Sequence, residues 1–177
     1  MNHLRKQFPV WGTIVDVDIA SSLVSEEALN QGMQQVIGFC KQVDADFSTY
    51  IDTSWVTRLR TNQVEINSCP PSVQEVWELC LQAKHLTDGA FDPWVVDGGF
   101  DPSGLVKGWA ADKCADIAQE HGAQHVQVNC AGDLALRGGF NDAGVIKPWS
   151  IGISNPDNTQ EVVHVVEIGD GAIATSG

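Results

Sequence analysis

Positive charge is scarce in this chain. Ten Lys and Arg stand against 23 Asp and Glu over 177 residues, for a net charge of −13, and such a surface repels nucleic acid and anionic lipid over most of its area. Any phosphate ligand therefore needs a local site. No apolar run approaches the length of a membrane span, and Met1 to Pro9 lacks the apolar centre of a signal peptide. The chain as given is expected to be soluble, unexported and cytoplasmic. The nucleotide fingerprints GxGxxG and GxxxxGK[ST] are both missing. Cysteine is limited to Cys40, Cys69, Cys80, Cys114 and Cys130, an odd number without CxxC spacing. Cys40, Cys80 and Cys114 fall on apolar positions of predicted helices, which favours buried thiols in a reducing compartment over disulfides or zinc. The histidines (His3, His85, His121, His125 and His164) are expected to be satisfied surface or core residues and not a metal site.

What is present suits one domain over residues 1–177, with 43% hydrophobic residues. Alternation through Val15-Asp16-Val17-Asp18-Ile19 predicts a strand over 10–19 with one wet face. Ser25 is expected to cap a helix whose stripe is Leu29, Met33, Val36, Ile37 and Cys40. A short strand is expected over 63–66. Ser72-Val-Gln-Glu75 reads as a capping box, with Ser72 at the N-cap of a helix carrying Val76, Leu79, Cys80, Ala83 and Leu86 and ended by Gly89. Apolar residues at Val106, Trp109, Ala110, Cys114, Ile117 and Ala118 predict a helix over 105–121 that stops at Gly122. Short β-rich runs follow over 125–129, 134–137, 149–154, 162–168 and 171–175. Early helices and late, closely spaced strands imply an α+β fold with a largely antiparallel sheet flanked by helices.

Polar chemistry concentrates in the loops. Asp101-Pro-Ser-Gly-Leu-Val-Lys-Gly-Trp-Ala-Ala-Asp112 places Lys107 in the first turn of a helix, where the dipole and free N–H groups suit an anion and oppose a cation. A bound phosphate resolves that conflict. The plain alternative is a solvated lysine at a cost of roughly a few tenths of a kcal/mol. Asp92, Asp101 and Asp133 can converge from three loops around a hard cation, although aspartates in such turns usually hydrogen-bond their own backbone.

These segments recur together in a known order. Trp11-Gly-Thr13, Phe47-Ser-Thr-Tyr50, Gly89-Ala-Phe-Asp92, the Asp101–Asp112 stretch, Asn129-Cys-Ala-Gly-Asp133, Trp149-Ser-Ile-Gly-Ile153 with Asn155-Pro156, and Ala172-Ile-Ala-Thr-Ser-Gly177 resemble the ApbE family of FAD:protein FMN transferases. The resemblance implies an ApbE-like fold. It also implies Mg²⁺-dependent transfer of FMN from FAD to a Thr or Ser hydroxyl of an acceptor protein, with release of AMP. By the same resemblance, Trp11, Tyr50, Ala90, Phe91, Asp92, Asp101 and Lys107 contact the FAD substrate, and Gly104 offers its carbonyl to the Mg²⁺. Trp11 stands where the family commonly has Met, and the segment from Pro93 to Phe100 is shorter than is usual. Family members continue beyond the Ala-Thr-Ser-Gly segment into a His-containing strand and an Asp and Thr/Asp cluster that completes the metal site, so the 177-residue chain is expected to lack that segment and to transfer poorly alone. Many relatives are exported and lipid-anchored, which leaves a processed, membrane-associated form open. A non-catalytic FAD- or nucleotide-binding module and an oligomerisation domain are the readings from other classes.

Overall fold

The computed structural model describes residues 1–142 and 144–175. The chain opens with an antiparallel hairpin, β1 (Asn2–Val10) and β2 (Thr13–Ser21), joined by Trp11-Gly12. Helix α1 (Glu26–Phe47) follows, then α2 (Trp55–Arg60), α3 (Pro71–Leu86) and α4 (Ser103–Glu120). The rest is β: β3 (His125–Cys130), β4 (Asp133–Arg137), β5 (Phe140–Asp142), β6 (Val145–Lys147), β7 (Trp149–Asn155), β8 (Asn158–Ile168) and β9 (Gly171–Ile173). A five-stranded sheet runs in the order β1-β2-β3-β4-β9, with β5-β6 and β7-β8 as two further pairs, and every pairing is antiparallel. The α+β expectation holds.

Alternation sorts the sheet into two faces. Val15, Val17 and Ile19 of β2 and Val126, Val128 and Cys130 of β3 turn inward, where Leu29, Met33, Val36 and Cys40 of α1 and Ala111, Cys114 and Ala118 of α4 cover them. Leu134 and Leu136 face the other way and pack with Trp149, Phe140, Ile151, Ile168 and Ile173. A separate cluster joins the lower half of α1 to α3 and α4 through Val43, Phe47, Val56, Val73, Val76, Cys80, Phe100 and Trp109. Trp11 touches this cluster and the sheet core alike. All five thiols are buried and unpaired by disulfides. Burial pushes Cys80 and Cys130 up to about 12, and Cys114 is raised by its 3.5 Å contact with Cys40 Sγ and then by burial.

Several boundaries differ from the sequence reading. The strand expected over 10–19 is two strands and a turn. Lys6 interrupts the inward row of Leu4, Phe8 and Val10 and hides the alternation of β1, whose outer residues make polar pairs instead, an ion pair of Arg5 Nη2 with Asp16 at 2.5 Å and a hydrogen bond between His3 Nε2 and Asp18 at 2.6 Å. The strand expected over 63–66 does not form. Its backbone bonds locally, Gln63 N to Arg58 O and Ser68 N to Glu65 O, around a 3₁₀ turn at Ile66–Ser68.

Ser72 is not the cap of α3. Pro71 takes the first helical position, for which its fixed φ suits it, and Pro70 stands at the N-cap. Glu75 is thereby freed to reach α4, where its Oε1 lies 2.8 Å from Lys113 Nζ and accepts from Trp109 Nε1 at 3.2 Å. Ser25 caps α1 as expected, accepting from Ala28 N at 3.2 Å. Gly122, at φ 86°, closes α4 with the paired bonds Ala123 N to Ala118 O and Gly122 N to Gln119 O. His121 and His125 stand four residues apart but share no helix, since α4 ends at Glu120 and His125 opens β3. Among the described residues no helix is long and apolar enough to cross a membrane.

Candidate active site

Two hairpin turns of the same kind meet at one end of the sheet. Trp11-Gly12 between β1 and β2 has φ 56° and 70°, and Ala131-Gly132 between β3 and β4 has φ 57° and 100°. Both are turns of the type that matches strand twist, and both place a non-glycine residue in the left-handed region. Because Val15 of β2 pairs with Cys130 of β3, the two turns sit side by side. The C-terminal end of α1 and the first turn of α4 face them. Between these four pieces lies a cavity of about 510 Å³.

Its apolar wall comes from Trp11, Val43, Phe47, Ile51 and Val106, and its polar groups are Thr13, Asp44, Ser48, Thr49, Ser103 and Lys107. Tyr50 stands at the edge with 95% of its surface exposed, an aromatic ring that a planar ligand can cover. Lys107 Nζ lies 3.7 Å from Asp133 Oδ2. Thus Trp11, Tyr50 and Lys107, far apart in sequence, contribute to one cavity.

The remaining sequence candidates are placed differently. Asp101 Oδ1 accepts from Ser103 N at 3.0 Å and from Ser103 Oγ at 2.5 Å, so it holds the start of α4. Gly104 lies close to Phe91, and a Cβ there would sit 3.2 Å from Phe91 Cε2, so the ring would have to shift by a few tenths of an ångström. That contact seats the Ala90-Phe91-Asp92 loop against the first turn of α4, although none of the three lines the cavity. Asp92 pairs with Lys84 at 2.7 Å and accepts from Trp94 N at 3.0 Å, and these two partners hold its carboxyl below the usual range. The convergence expected of Asp92, Asp101 and Asp133 is not seen, because each carboxylate is engaged by a different neighbour. Among the described residues no three His, Cys, Asp or Glu side chains gather into a possible cation site.

The sequence reading passed over Asp44, Ser48, Thr49, Ser103 and Ala131 as cavity residues. Four of these lie inside motifs it had singled out, and only Asp44 carried no signal, being one turn beyond Cys40 on α1.

The sequence profile of the ApbE family matches residues 11–98 and 96–177. The chain belongs to the ApbE family. Ser176 and Gly177 of its last motif lie outside the described residues. Among curated relatives, a protein named FAD:protein FMN transferase from Vibrio cholerae is 42% identical over 78 residues, 44% of this chain and 22% of that protein. The matched segment thus spans about a fifth of that relative's length. Among solved structures, the flavin transferase ApbE from Vibrio cholerae superposes with a TM-score of 0.83 at 22% identity, covering 99% of this chain and 72% of that one. The ApbE protein from Thermotoga maritima gives 0.84 at 20% identity, with 99% and 71% covered. The apo flavinyl transferase ApbE of Pseudomonas stutzeri gives 0.74 at 21%, with 95% and 66% covered. At these identities the structural matches establish that the fold is shared.

Proposed function

We propose that this ApbE-family chain acts in FAD:protein FMN transfer, with FAD as its substrate and an acceptor protein bearing a Thr or Ser hydroxyl as its partner. The observation that carries this reading is the single cavity to which Trp11, Tyr50 and Lys107 all contribute, with the first turn of α4 at its mouth. The apolar wall and Tyr50 receive the flavin ring, while Lys107 receives the diphosphate. Ala90, Phe91 and Asp92 sit outside the cavity, with Phe91 beside Gly104 in the first turn of α4, and Asp101 keeps the helix start in register. In the reaction the acceptor oxygen bonds to the FMN phosphorus, the bond to the AMP oxygen breaks, the hydroxyl proton is released, and AMP leaves. The chain's contribution is to align the two oxygens and to neutralise charge on the diphosphate with Lys107.

The family resemblance also implies Mg²⁺, for which this chain offers the Gly104 carbonyl. Asp101 is engaged by Ser103, and no acidic cluster gathers among the described residues. These donors do not fit an octahedral oxygen site. The same observation favours a second reading, a flavin- or nucleotide-binding module without transfer. Incubating the chain with FAD, Mg²⁺ and an acceptor protein, followed by intact mass, separates the two. Covalent FMN on a Thr or Ser with stoichiometric AMP supports transfer, and tight FAD binding without a mass change supports the module.

A further inference from the structure

The Asn129–Asp133 motif contributes Ala131 to the cavity wall. Its turn is pinned twice. Asn129 Oδ1 accepts from Gly132 N at 2.8 Å, and Thr175 Oγ1 donates to Gly132 O at 3.1 Å. Asp133, the next residue, is fixed by this turn with its side chain only 14% exposed and its Oδ2 3.7 Å from Lys107 Nζ. That separation is too long for a hydrogen bond, so the carboxylate restrains the ammonium weakly. It is nonetheless short enough for the carboxylate's charge to act on anything Lys107 holds. Asp44 lines the same cavity.

The geometry points to Asp133 as the counter-charge of Lys107, setting how tightly the site holds a phosphate. For its ligand this assignment rests on the flavin-transfer reading. Before a phosphate arrives, Asp133 is the charge that balances the Lys107 ammonium. A phosphate arriving at Lys107 takes over that role and meets Asp133 as a like charge. Affinity for phosphate-bearing ligands is thereby held below what Lys107 alone would give, while an uncharged flavin is unaffected. A site that must release a phosphate product after each transfer gains nothing from tighter ground-state binding.

The test is calorimetric titration of inorganic pyrophosphate, FAD and riboflavin into the wild-type chain, Asp133→Asn and Asp133→Glu at one ionic strength. Asp133→Asn keeps the side-chain shape and is expected to bind pyrophosphate and FAD at least about fivefold tighter, with riboflavin unchanged. Asp133→Glu, which keeps the charge, is expected to resemble wild type, and the gain is expected to vanish in a Lys107→Met background. Pyrophosphate binding that is unchanged, weaker or undetectable in Asp133→Asn would overturn the assignment, as would an equal gain for riboflavin. If pyrophosphate binds more tightly to Asp133→Asn while neither protein binds FAD or riboflavin, the role of Asp133 stands and the flavin reading fails.

Discussion

Trp11 Nε1 donates to the Cys40 carbonyl at 3.0 Å, which ties the first hairpin turn to the middle of α1. The indole is thus a fixed wall between sheet and helix. Trp11→Phe keeps an aromatic surface but loses the bond, and is expected to lower unfolding free energy by about 0.5–1.5 kcal/mol. FAD affinity should fall with it, because the wall is no longer held. Urea denaturation and FAD titration of the same variant check both.

The sequence places Lys107 in the first helical turn, but α4 starts at Ser103 and makes it the fifth residue, past that turn and beyond hydrogen-bond reach of Asp133, so it contributes little to stability. Lys107→Ala should leave the unfolding free energy within about 0.5 kcal/mol of wild type. FAD binding should weaken by about 1–3 kcal/mol if the ammonium meets the diphosphate. An unchanged FAD affinity would return Lys107 to the role of a solvated side chain.

The second turn makes opposite predictions at adjacent residues. Ala131 sits at φ 57°, a conformation glycine adopts more easily, so Ala131→Gly should stabilise the fold by up to about 1 kcal/mol. Gly132 sits at φ 100°, and a Cβ there would fall 2.2 Å from Thr175 Oγ1. Gly132→Ala should cost about 2 kcal/mol or more. Paired thermal melts of the two variants decide it.

Asp46 is 7% exposed near the end of α1, and burial raises its carboxyl above the usual range despite the Gln42 hydrogen bond. With the folded value above the unfolded one, its ionised form is the one the fold disfavours. Asp46 therefore takes stability away as pH rises from the unfolded carboxyl value through the folded one. Asp46→Asn, which can still accept from Gln42, should melt higher than wild type at pH 7, and the difference should shrink toward zero below about pH 4. A constant difference across that range would show that charge is not the cause.

Periodicity revealed the parts of the fold whose cores are one-sided. The α1 stripe, the α4 stripe and the Gly122 stop read directly from residue spacing, because each repeats an apolar position once per turn. β1 was hidden by Lys6 in its inward row, and α2 by its six-residue length. The Ser72 capping box was a sound local pattern overruled by Pro71, whose backbone fixed the helix start two residues sooner. In the site, the motifs carried Trp11, Tyr50 and Lys107, but spacing cannot show that two left-handed turns from different hairpins stand side by side. That requires the β2–β3 register. Nor can spacing reveal that Asp92, Asp101 and Asp133 each have a nearer partner than one another.

The most direct test of the account is FAD titration of the wild-type chain alongside Trp11→Phe, Tyr50→Ala and Lys107→Ala, read by calorimetry and by melting temperature. The account predicts one FAD per chain, a melting temperature that rises with FAD concentration, and weaker binding in all three variants, although their side chains come from three separate segments. No binding at saturating FAD, or binding that none of the three substitutions weakens, would contradict the placement of the flavin in this cavity.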